Sequence, residues 1–176
     1  MVVKTFRNTL IASSVLFGAS LIAGSAAMAA PATDDGTVTA TVAEINAISF
    51  EGATTAFVSG SAVPAFAMGT LDVRNNASAG WTLGMSSANG GRLINTATPA
   101  HVITYTALTT GDIGASTATA VTPTVATPSG QLHNSAFDAA VSAGVTGVNV
   151  TASIAAGQFV PVGSYTDTLT FTLTSK

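Results

Sequence analysis

From Tyr165 to Thr174 the chain alternates without a break. Tyr165, Asp167, Leu169, Phe171 and Leu173 fall on one side, and Thr166, Thr168, Thr170, Thr172 and Thr174 on the other. A period of two is the signature of a half-buried strand, because successive side chains leave an extended backbone in opposite directions. Threonine suits the outer face, since its β-branch favours extended backbone. The same period recurs in Thr37–Val42, where Val38, Ala40 and Val42 share a face, and in Thr146–Ile154, where Val148, Val150 and Ala152 do. Met68–Asn75 and Trp81–Met85 also read as strands, and the turn residues Asn75 to Gly80 between them predict a hairpin with a loop longer than two residues. Ile45, Ile48 and Phe50 form a further apolar stretch, and Val102–Leu108 another strand. A short helix is expected within Ser135–Ala143, capped by Asn134 or Ser135 and carrying Phe137 and Val141. Gly111–Gly130 is low in complexity and reads as a strand with a long connection, or as a surface loop. Several short strands with turns between them predict an all-β, immunoglobulin-like antiparallel sandwich.

The first 29 residues read as an address. Lys4 and Arg7 precede an apolar run from about Leu10 to Ala23, and Ala27 and Ala29 stand at −3 and −1 of a small-residue cut. The run is interrupted by Ser13, Ser14 and Gly18 and is shorter than the ~20 residues that span a bilayer. A secretory signal peptide over 1–29 is therefore expected. The mature chain, 30–176, is expected to be one domain with no membrane span, exported through the periplasm to the cell surface or beyond.

Composition then narrows the function. Only 7% of the residues are charged, against about 25% in a typical soluble domain. Beyond residue 29 the basic residues are Arg74, Arg92 and Lys176, too few for a nucleic-acid surface. There is no cysteine for a disulfide scaffold or a zinc ribbon. No Gly-x-Ser-x-Gly elbow occurs, and His101 and His133 stand in no metal-ligand spacing. The chain is read as a non-enzyme without a cofactor. Trp81 and Tyr105 are the candidates for stacking on a ligand such as a sugar, while alternation places Trp81 with the core set of Leu83 and Met85. A Thr-rich, neutral exterior suits a subunit covered by neighbours better than a free monomer, which charge keeps apart.

The run Pro161-Val-Gly-Ser-Tyr-Thr-Asp-Thr-Leu-Thr-Phe-Thr-Leu173 resembles the closing strand of bacterial pilin-like β-sandwiches. The resemblance is to spore coat protein U domains and archaic chaperone–usher pilus subunits, with Gly163, Tyr165 and Asp167 in the Gly-x-Tyr-x-Asp places and Leu169, Phe171 and Leu173 following. Leu71–Asn76 with Gly80–Leu83 look like the second strand pair of that plan, and Gly91–Leu93 with Ile103–Tyr105 look like the next. Spore coat U-type domains commonly carry paired cysteines, so this chain resembles a cysteine-free relative. Trp81-Thr82-Leu83 is also similar to the Trp-x-Leu signature of a cell-wall-associated domain family, which usually carries it twice. The pilin resemblance implies an incomplete sandwich whose missing strand comes from a neighbour's N-terminal extension. The implied partners are copies of the chain or related fibre subunits, with a periplasmic chaperone and an outer-membrane usher. Residues 30–44 would be that donor segment, with Val38, Ala40 and Val42 filling the groove, or else the domain's own first strand. The alternative is a monomeric periplasmic or extracellular binding module for carbohydrate or protein.

Overall fold

The computed structural model describes residues 36–176. The expected signal peptide, 1–29, lies outside the described residues. The chain divides into two units, 1–40 and 41–176. Residues 36–45 belong to no strand or helix, and Val38 and Val42 are exposed. Thr37–Val42, expected as a strand, is therefore not one in this structure.

The second unit is an all-β antiparallel sandwich. Its strands are β1 (Asn46–Gly52), β2 (Val63–Asn75), β3 (Trp81–Ser87), β4 (Arg92–Asn95), β5 (Val102–Thr110), β6 (Ser129–Ser135), β7 (Val145–Ile154), β8 (Tyr165–Thr166) and β9 (Leu169–Ser175), with one short helix, α1 (Ala139–Ala143). One sheet has the order β1-β2-β7-β5-β4-β8, and the other β6-β3-β9. Leu71, Trp81, Leu83, Tyr105, Leu108, Leu132 and Val150 are fully buried between them.

Three expectations need correction. The predicted hairpin of β2 and β3 is an arch between sheets: β2 pairs with β1 and β7, and β3 with β6 and β9. Both strands alternate cleanly, which hairpin and arch share. The turn itself is built for the arch. Gly80 has φ +99°, and a Cβ there would collide with Ser135 O. The helix is capped by Asp138 rather than Asn134 or Ser135, because Asp138 Oδ1 accepts from Ala140 N (2.8 Å). Val141 is buried as expected, but Phe137 lies before the helix and is half-exposed. The run Tyr165–Leu173 is two strands, broken at Asp167 and Thr168.

That break is a corner. The pair β3 and β9 lies in the small sheet, while β4 and β8, which follow and precede them in the chain, pair in the large one. The ladder thus crosses from sheet to sheet at Ser87–Gly91 and Asp167–Thr168. Asp167 pins the crossing. Its carboxylate accepts from Ser87 Oγ (2.6 Å), Tyr105 OH (2.6 Å), Asn89 N (3.0 Å) and Thr168 N (2.8 Å).

Candidate functional site

The two flanks of the sandwich are finished differently. On the β5–β6 flank the segment between those strands closes the gap. Leu108 and Val121 exchange backbone hydrogen bonds at 2.7 Å, Thr119 N donates to Leu132 O (2.8 Å), and Ile113 is fully buried. The other flank is bordered by β1 and β9, an edge strand of each sheet.

Hydrogen-bond parity shows what these edges present. Ala88 N donates to Thr168 O and Lys176 N to Gly80 O, both at 2.9 Å. Bonded pairs alternate along an antiparallel ladder, so the even residues of β9 face β3. Leu169, Phe171 and Leu173 turn their backbone groups to the free edge. On β1, Ala53 N donates to Met68 O (2.9 Å) and Asn76 N to Ile45 O (3.1 Å). The odd residues of β1 therefore face β2, and Asn46, Ile48, Phe50 and Gly52 face outward. Two rows of backbone donors and acceptors look at one another across the flank. Among the described residues they are joined by one bond, Asn46 Nδ2 to Leu173 O (3.2 Å).

That bond marks the closed end. Asn75 Nδ2 adds to it by donating to Asn46 Oδ1 (3.1 Å) and Ser175 Oγ (2.8 Å). Further along, the Phe50 and Phe171 rings touch at a centroid distance of 4.7 Å. Beyond them the sheets part over a groove of about 870 Å³. Its floor is Phe66, Met68, Leu93 and Ile103, and its rims carry Phe50, Leu169 and the segments 53–57 and 160–167. Gly163 and Tyr165 stand on one rim. A Cβ at Gly163 would collide with Asn95 Nδ2, and Tyr165 OH donates to Pro161 O (2.8 Å). The structure thus brings Gly163, Tyr165, Asp167 and Leu169 together at the groove. Phe171 lies at its boundary, and Leu173 lies at the closed end.

Trp81 and Tyr105 are not in it. Both are fully buried, so neither ring has a face to offer a ligand. Tyr105 is a corner brace: burial, and the Asp167 carboxylate that it donates to, hold its hydroxyl protonated far above the usual tyrosine range. Trp81 lies 5.7 Å from the His133 ring, and its indole N–H has no acceptor.

His133 sits among hydroxyls. Thr110 Oγ1 is 2.6 Å from Nε2 and Ser116 Oγ is 3.0 Å from Nδ1. Because Thr110 Oγ1 donates to Gly111 O (2.9 Å), it accepts from Nε2–H, and Nδ1 accepts from Ser116. Serine beside histidine is also the beginning of a nucleophilic site. Here the cluster is buried, both ring nitrogens are taken, and its three side chains lie apart from the groove. The imidazole is pushed below its ordinary pKa by burial, with Asp112 and the Gly111 carbonyl opposing. Folded His133 therefore resists the proton that the unfolded chain accepts. Stability is full above pH ~6.5 and falls as pH drops towards the folded value, by at most about 1.4 kcal/mol per pH unit for one group. Urea unfolding of the parent should lose stability between pH 7 and 5, and His133→Gln should flatten that slope. Equal slopes would assign the acid sensitivity elsewhere.

Among the described residues, no helix is long and apolar enough to cross a membrane, and no three His, Asp or Glu gather as a metal site. The features that stand out are therefore the facing edges and the groove between them. Comparison with protein-family models, with curated proteins and with solved structures gave no match, so the reading of this flank rests on its own geometry.

Proposed function

We propose that the chain is an exported structural subunit of a bacterial surface fibre, pilus or coat, and that it assembles by taking a neighbour's extended strand between β1 and β9. The observation that carries this reading is the apolar groove beyond Phe50 and Phe171, over which Gly52 of β1 and Leu169 of β9 turn edge backbone groups that pair with no strand. Volume alone is neutral, because small-molecule pockets run from ~300 to 1,000 Å³. The backbone rows are not neutral. A small apolar ligand leaves such rows unpaired, whereas an extended peptide matches them bond for bond and drops alternate side chains into the groove. An uncovered edge of this kind is otherwise a route to aggregation.

The donor is the N-terminal arm of a copy or a related subunit. Val38, Ala40 and Val42 alternate with threonines, and the two valines are exposed. This is the order of groove-filling residues that an immunoglobulin-like pilin of the chaperone–usher or spore coat U type would use. A chaperone and an usher belong to the same proposal, since an open flank needs cover in transit. The low charge supports it too: a surface poor in repulsive groups suits subunits that meet. The second reading, a monomeric binding module, shares the groove but takes a protein ligand, since buried Trp81 and Tyr105 give a carbohydrate no platform.

Size exclusion and negative-stain microscopy separate the two readings. The chain beginning at Ala30 should form polymers, and the chain lacking residues 30–44 should run as a folded monomer. Adding a peptide of residues 30–44 to that monomer should raise its melting temperature. A sharp monomer peak from the longer chain would overturn the assembly reading.

A further inference from the structure

We infer that the groove is a window walled at both ends, which takes a short extended segment through its long side, and that the segment is the neutral stretch Gly36–Ala43 of a second copy; the inference rests on the strand-accepting reading above. One wall is the Phe50–Phe171 contact. The other is made by the two segments that border the groove. Ser59 Oγ accepts from Val160 N (2.8 Å) and donates to Val160 O (3.1 Å), and both residues line the groove. Next to them, Gly60 N donates to Gln158 O and Gly157 N to Gly60 O, both at 3.0 Å. Gln158 ties this wall to the large sheet. Its Oε1 accepts from Thr104 N (2.7 Å) and its Nε2 donates to Thr104 O (2.8 Å), so both backbone groups of that β5 residue are engaged. A strand lying in the groove cannot run on past either wall.

The edge left open between the walls follows from the ladder. Thr96 N donates to Ser164 O (2.9 Å), and Asn95 pairs with Tyr165. Ser164 therefore faces β4, and Tyr165 turns its backbone groups away from β4, in phase with Leu169. Leu169 to Tyr165 is a stretch of five residues, and Phe171, the next in phase, already belongs to a wall. A strand laid along that stretch sends alternate side chains down. They meet the apolar floor of Phe66, Met68, Leu93 and Ile103.

The arm is marked to a matching length. Gly36–Ala43 holds no charged residue, while Asp34 and Asp35 stand directly before it and Glu44 directly after. A carboxylate sealed against an apolar floor without a cation is costly, so the acids bound what can enter. Within those bounds Val38, Ala40 and Val42 span five residues, with Thr39 and Thr41 between them. The walls set one limit and the charges set the other, and the two agree. A walled window differs from an open-ended edge in a measurable way: residues of the incoming chain beyond the walls add nothing to its affinity.

Competition tests this. The chain beginning at Ala30 polymerises in the presence of synthetic peptides, and light scattering follows the growth. A peptide of residues 36–43 should block growth as well as one of residues 30–44. Ala40→Asp in the shorter peptide should weaken it by about a hundredfold or more, because that carboxylate is sealed inside. Thr39→Asp points out of the mouth and should leave its potency unchanged. An advantage of about tenfold or more for the longer peptide would mean that the groove continues past a wall; the window is then overturned and strand acceptance stands. Equal weakening by Ala40→Asp and Thr39→Asp would mean that alternation is not read, and would overturn the assignment of the segment. Polymers that neither unsubstituted peptide blocks would overturn the arm as occupant. A chain that does not polymerise would overturn the strand-accepting reading and the window with it.

Discussion

Asp167→Ala should lower the melting temperature by about 10–20 °C, the largest stability loss we expect from a single polar residue in this protein. Asp167 accepts four hydrogen bonds at the point where the β3–β4 and β8–β9 ladder changes sheets. Two of the donors have no access to water: Tyr105 is fully buried and Ser87 nearly so. A buried donor left without its partner costs about 1–3 kcal/mol. Ser87, Tyr105 and the Asn89 amide together place the loss near 3–5 kcal/mol, a large share of the 5–15 kcal/mol typical of a domain. At roughly 3–4 °C per kcal/mol for a chain of this size, the range above follows. Tyr105→Phe removes one donor and leaves the carboxylate three others, so it should cost only about 1 kcal/mol. The double variant should fall short of the sum of the singles, because the two residues share a bond. Thermal denaturation of the four proteins gives the cycle. Additive losses would mean that the bond between Tyr105 and Asp167 contributes nothing and that each side chain acts through its other contacts.

The corner also shows where sequence reading stops. Alternation placed Leu169, Phe171 and Leu173 on one face, and with Ser175 they are the half-buried and buried residues of β9. The same alternation ran straight through Asp167, because a period of two survives a change of sheet. Trp81 was legible as core from its phase with Leu83 and Met85. Tyr105 was also in an apolar run, yet its half-buried partner lies 62 positions away, and no local pattern reports such a bond. β6 was missed for a different reason. It reads Ser-Gly-Gln-Leu-His-Asn-Ser, and what buries Leu132 and His133 is the cover of the preceding segment, not alternation. The pairing of β2 with β3 was lost because turn residues specify a reversal without specifying which sheet receives the next strand. The groove could not be read at all. It is a property of two edges separated by most of the chain, and neither carries a mark of being unpaired. The residues that line it, Phe50 and Leu169 among them, look like any core residue until the missing neighbour is seen.

Leu169→Asp should abolish assembly while leaving a folded monomer, and that pairing of outcomes separates a functional groove from a poorly filled core. Leu169 is half-buried on a rim of the groove, with its backbone groups on the free edge of β9. In the monomer the open groove admits water, so a carboxylate there keeps much of its hydration and the loss of stability should be about 1 kcal/mol, the middle of the range for single substitutions. When a strand enters, the same carboxylate is sealed against apolar side chains with no cation at hand. The nearby acid Asp167 makes matters worse. An unpaired charge buried in this way costs several kcal/mol, which at 1.4 kcal/mol per factor of ten is at least a hundredfold in affinity. Thr170→Asp is the matched control: one residue along the same strand, exposed, on the opposite face. It should polymerise like the parent. Light scattering on the parent and the two variants, with circular dichroism for the fold, gives the answer. If Thr170→Asp and Leu169→Asp lose assembly alike, added charge on β9 is responsible and the groove is not. If Leu169→Asp unfolds, Leu169 belongs to the core that the monomer already needs, and the open flank is smaller than its lining implies. Loss at Leu169 with retention at Thr170 leaves one explanation, that an incoming chain must bury the side of β9 that this subunit leaves bare.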